Sequence, residues 1–171
     1  MNSLPSKQDI YYIIEMLQSK LIDYTYIQPW ADNLIENLSN PQKLLIDLSS
    51  ATYQGEIINI LKEYVYYEPF KEQFYKLVKF HIACLWLRYE RRELSWATLL
   101  NEIGKYLDIE EINWDCETPY HFLNTYENSY FSEKVEQETK QKYLQEHNIL
   151  HWIEIVDNKR TQLHLTNDIK K

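Results

Sequence analysis

Residues 67–94, YEPFKEQFYKLVKFHIACLWLRYERREL, decide how the chain folds. Phe70, Phe74, Leu77, Val78, His81, Ile82, Leu85 and Tyr89 recur at spacings of three and four, which is the period of one helix face. Pro69 suits the first turn, where its missing N–H leaves nothing unpaired. From Phe80 to Leu87 apolar residues go most of the way round, so this is expected to be a central helix covered on nearly every side. The run falls well short of the roughly 20 apolar residues needed to span a bilayer, and Lys79 and Arg88 close it. Arg88, Arg91 and Arg92, interleaved with Glu90 and Glu93, suit the negative end of a helix dipole and supply local ion pairs.

The same period extends the helical pattern outward. Ser6 with Asp9 three residues later marks a helix start, followed by the stripe Ile10, Ile13, Ile14, Leu17 and Leu21. Thr25 is the expected cap of a second helix, with Pro29 in its first turn and Ile27, Trp30, Ala31, Leu34, Ile35 and Leu38 buried. Asn40-Pro41 separates it from a short helix carrying Leu44, Leu45 and Leu48. A turn over 49–55 leads to a fourth helix with Ile57, Ile58, Leu61 and Tyr64. Beyond the central helix, Ser95 caps a helix with Trp96, Leu99, Leu100, Ile103 and Leu107 inward. Residues 108–116 show no clear period, and Thr118-Pro119 reads as the cap and first turn of a short helix. Ser132 opens a polar helix with Val135, Thr139, Tyr143 and Leu144 on its narrow inner side, ending at Asn148. Ile149–Val156 and Arg160–Thr166 are β-rich runs around Asp157-Asn158-Lys159, the pattern of a β-hairpin. The expected fold is therefore mostly α: a helical bundle around one long central helix, with a C-terminal β-hairpin. It forms a single domain over 1–171, divisible into a helical lobe over 1–94 and an acidic lobe over 95–171.

Composition excludes several chemistries. The 171 residues contain two glycines, Gly55 and Gly104, too few for a phosphate-cradling loop, a dinucleotide fingerprint or a nucleophile elbow. Cys84 lies in an apolar helix and Cys116 in an acidic loop, which is no disulfide framework. A content of 44% hydrophobic and 15% aromatic residues favours a packed fold over disorder. The first residues lack a basic stretch followed by an apolar one, so a cytoplasmic location is expected.

Candidate ligand sets are incomplete. His81 and Cys84 stand three apart on a helix, with no third or fourth ligand in sight, and read as core. His147 and His151 are four apart, but Asn148 stands where a zinc-protease motif needs Glu. The acids at 108–117 lack the glycine turn of a calcium loop. No metal, no cofactor and no catalytic residue is expected, and the protein is read as a non-enzyme.

Charge is localised. Of the acids, ten fall between Glu102 and Glu138 against only Lys105 and Lys134, which accounts for the whole net charge of −8. Tyr106, Trp114, Tyr120, Phe122, Tyr126, Tyr130 and Phe131 are interleaved with them. Aromatic anchors in a field of one sign suit an interface with a cationic protein, the rings burying area and the carboxylates steering encounter. Asp108, Glu110, Glu111, Trp114, Asp115, Glu117, Tyr120 and Tyr126 are the candidate partner-binding residues.

Two resemblances bear on function. YLQEHNILHWIEIVDNKRTQLHLTND, a helix followed by the expected hairpin with Lys159 and Arg160 at its tip, resembles the recognition helix and wing of bacterial winged-helix regulators. Glu133, Glu136 and Glu138 on the preceding helix would repel phosphate, which argues against nucleic-acid binding. A small, acidic, glycine-poor, all-helical chain opening with YIQPWADNLIENLSNPQKLLIDLSS resembles the immunity proteins that bacteria encode beside polymorphic or contact-dependent toxins. That likeness implies a protein that neutralises a cationic toxin by shape and charge; the alternatives are a winged-helix-type transcriptional regulator and a structural or adaptor protein.

Overall fold

The computed structural model describes residues 4–65, 74–108, 115–128, 133–163 and 165. Among them the regular elements are α1 (Lys7–Gln18), a 3₁₀ turn (Tyr24–Tyr26), α2 (Ile27–Glu36), α3 (Lys43–Ser50), α4 (Gln54–Val65), α5 (Phe74–Glu90), α6 (Trp96–Leu107), α7 (Glu117–Asn128), α8 (Glu133–Glu146) and α9 (Ile149–Gln162). The chain divides into two compact units, one of residues 1–81 with 154–171 and one of residues 82–153, so the boundaries fall inside α5 and α9.

The first unit follows its apolar stripes. Ser6 and Asp9 form a reciprocal capping box that starts α1, and Ile10, Ile13, Met16 and Leu17 lose all contact with solvent. Removing a leucine or isoleucine side chain from water contributes about 1.5–3 kcal/mol. Asp23, not Thr25, supplies the cap of the following turn, accepting from the Thr25 amide at 2.9 Å. Helix ends leave carbonyls without helical partners, and two glutamines fill that need here. Gln54 Nε2 donates to Leu17 O at 2.9 Å, tying α4 to the end of α1. Gln28 Nε2 donates to Ala51 O at 2.7 Å and Ser49 O at 3.3 Å, holding α2 to the end of α3. Gly55, expected in the preceding turn, lies within the first turn of α4.

In α5 every residue from Leu77 to Leu87 is buried, including Lys79 and His81. Pro69 and Phe70 lie outside the described residues. The helix stops in a left-handed turn: Arg92 has φ 62°, with Glu93 N donating to Arg88 O and Arg92 N to Tyr89 O, both at 2.9 Å. This is the paired closure of a Schellman end. Lys20, with φ 59°, closes α1 in the same way.

The C-terminal β-hairpin does not form. Residues 149–162 are helical, and no strand occurs among the described residues. Burial along α9 falls on Ile149, Val156, Arg160 and Leu163, with Trp152 and Ile153 half-buried between them, a helical period. A cation at the inward position 160 disguised the stripe, and Asp157-Asn158, which resembles a turn, is an exposed helix face. The strand-like appearance came from β-branched Ile149, Ile153, Ile155 and Val156, whose preference for strands yields to packing. The wing resemblance falls with the hairpin.

In the second unit Ser95 caps α6, accepting from Thr98 N at 3.1 Å, and Trp96, Leu99, Leu100, Ile103 and Leu107 are buried. Its core is aromatic. Trp86 lies parallel to Tyr143 at 5.9 Å and meets Trp96 edge-on at 5.9 Å, while Phe122 meets the Tyr143 ring at 6.4 Å. These offset and edge-to-face arrangements are the favourable ones for aromatic quadrupoles.

Candidate protein-binding surface

The candidate surface is built where the end of α6 meets the start of α7. Gly104 makes the approach possible: a Cβ there would sit 2.6 Å from Cε1 of Tyr120, so the ring occupies the space a side chain would need. That contact fixes Tyr120, half-buried, beside the exposed carboxylate of Asp108 at the last turn of α6. Cys116 Sγ lies 3.8 Å from Asp108 Oδ1, which brings the start of α7 back to the same end.

Asp115 starts α7. Its Oδ1 accepts from the amides of Glu117 at 2.9 Å and Thr118 at 3.1 Å, and its Oδ2 accepts from the Thr118 hydroxyl. The expected Thr118 cap is thus replaced by Asp115, with Thr118 as its hydrogen-bond donor. The Thr118 hydroxyl, ahead of the backbone amides, holds the Asp115 carboxyl below the usual carboxylate range. Glu117 is exposed in the first turn. Burial, then the Asp108 charge, pushes the Tyr120 phenol up; burial, then Glu136, does the same to Tyr126.

Asp108, Asp115, Glu117 and Tyr120 therefore gather at one end of the α6–α7 pair. Tyr126 is half-buried farther along α7 and feels the charge of Glu136 on α8. Glu110, Glu111 and Trp114 lie outside the described residues. Phe122 is core.

The acid-rich stretch is more balanced in space than in sequence. On α8, Lys134 pairs with Glu138 at 3.8 Å and Lys142 with Glu146 at 3.9 Å. Glu136 accepts from the Tyr89 hydroxyl at 2.7 Å; burial and this carboxylate together push the Tyr89 phenol well above its ordinary range. Lys140 lies over the Tyr89 ring at 4.8 Å and Lys142 over Phe122 at 5.9 Å. At the α6–α7 end Lys105 is taken by Glu102 at 3.4 Å, and Asp108, Asp115 and Glu117 form no ion pair among the described residues, although the charge of His147 reaches Asp115.

One pair was not legible beforehand. His81 Nδ1 lies 2.8 Å from Glu15 Oε2, with both side chains buried. In the sequence Glu15 stands in an apolar run, YYIIEML over 11–17, which was the available signal of an inward carboxylate, and all of Tyr12 to Leu17 is buried. No group of three or more His, Cys, Asp or Glu side chains arranged to hold a metal occurs among the described residues, and no helix among them is long and apolar enough to cross a membrane. The chain matches no protein-family model, no curated protein and no solved structure.

Proposed function

We propose that this is a non-enzymatic, cytoplasmic binding protein of the immunity type, whose α6–α7 end receives a cationic protein. One observation carries the reading. Asp108 stands at the C-terminal end of α6, where the helix dipole is already negative and a lysine or arginine would be stabilising. It forms no ion pair among the described residues, so its charge works against its own helix and is open to an external cation. Asp115 and Glu117 extend that field, Tyr120 supplies an aromatic face at its edge, and Glu110, Glu111 and Trp114 belong to it by sequence. Exposed carboxylates steer encounter and the rings supply buried area.

The test is binding of the purified products of neighbouring genes, followed at several salt concentrations. A basic product should bind with an association rate that falls steeply with salt, and Asp108→Lys with Glu117→Lys should slow that association about tenfold or more. Binding that ignores both salt and these substitutions, or no binding by any neighbouring product, overturns the reading.

A further inference from the structure

At the opposite end of α6 two cations stand outside the ion pairs found among the described residues. A cleft of about 410 Å³ is lined by Tyr89, Glu90, Arg92, Glu93, Leu94, Ser95 and Lys140, all within the second unit. Its acids are unequally engaged. Glu93 is held by Arg88 at 3.2 Å and Arg91 at 3.9 Å, whereas neither Arg92 nor Lys140 has a carboxylate within ion-pair distance among the described residues. Lys140 rests on the Tyr89 ring instead. Arg92 holds its exposed guanidinium at a backbone position, φ 62°, where glycine would be less strained.

We propose that this cleft seats a small oxyanion, a phosphate or carboxylate group, gripped by Arg92 and Lys140. A planar guanidinium presents paired donors to such a group, and an ammonium adds a point charge. Ser95, whose hydroxyl is occupied with Thr98 N, brings the positive end of α6 to the same cleft, which reinforces the two cations but does not replace them. Glu90 is the lining carboxylate not taken by an arginine, and Glu136, on the Tyr89 hydroxyl one helical turn before Lys140, is a second opposing charge; both limit affinity.

The whole chain, ¹⁵N-labelled, is titrated with sodium phosphate and separately with sodium succinate against sodium chloride at equal ionic strength. Saturable shifts of the amides at 92–98 are expected with one or both anions, and the tighter of the two identifies the group seated. Arg92→Gln and Lys140→Gln should each weaken binding about tenfold, and Glu90→Gln should tighten it. Lys105→Gln, at the far end of α6, should change nothing. Lys140 lies on α8, so its variant stays informative if Arg92→Gln unfolds the turn. Overturning results are no saturable shift at about 50 mM of either anion, or unchanged binding in a folded Lys140→Gln protein.

Discussion

At Gly104 and Tyr120 a single hydrogen in place of a methyl group decides how two helices meet. Gly104→Ala forces either the ring or α7 to move, since the new Cβ would stand 2.6 Å from the ring. The expected loss is about 1–3 kcal/mol, read from the urea midpoint, and most of it should vanish in a Tyr120→Ala background because the two effects are coupled through one contact. Glycine is absent where its backbone freedom would help: neither glycine has positive φ, whereas Lys20, Arg92 and Asn148 do. Lys20→Gly should therefore raise stability by about 1 kcal/mol, the strain that a side chain adds in the left-handed region. An unchanged or lower midpoint would show that Lys20 makes a compensating contact.

The helix α9 gives the sharpest test at the level of an element. In a hairpin, positions 157–159 would be a turn that welcomes glycine and proline; in a helix they are interior. Asn158→Pro should cost about 3 kcal/mol or more, and a mild or stabilising effect would restore the hairpin. The helices α1 to α6 were legible because their apolar residues lie on clean stripes with recognisable ends, such as Ser6 with Asp9 and Ser95 with Thr98. Residues 149–162 were not, because Arg160 occupies an inward position and β-branched residues sit between the stripe positions. The pairing of Glu15 with His81 spans 66 positions, a separation that no local period encodes. The acidic stretch was legible as charge, but the placing of Lys140 over Tyr89 and of Lys142 over Phe122 depends on where α8 packs, which no local period encodes.

Across the whole molecule, a net charge of −8 coexists with carboxylates that hold structure. Asp9 accepts from Lys159 Nζ at 2.6 Å, joining α1 to α9. Burial alone would raise its pKa, but Lys159 and Ser6 outweigh burial and hold it below the usual carboxylate range. Asp115 is held below that range by the Thr118 hydroxyl. A carboxyl depressed in the folded state contributes stability that is complete above its unfolded pKa and is lost as pH falls through the folded one. Stability should thus decline below about pH 4, and Asp9→Asn should flatten that decline in urea titrations between about pH 2 and 4; an unchanged slope would remove Asp9 from the account. The tryptophans offer a way to see which part of the molecule responds. Of the described tryptophans, Trp30 belongs to the first unit and Trp86, Trp96 and Trp152 to the second. Because Trp86 lies flat on Tyr143 and edge-on to Trp96, their electronic transitions couple in a fixed chiral arrangement. The tryptophan part of the near-ultraviolet circular dichroism is therefore weighted toward the second unit, strong while these rings are locked and weak once their packing loosens.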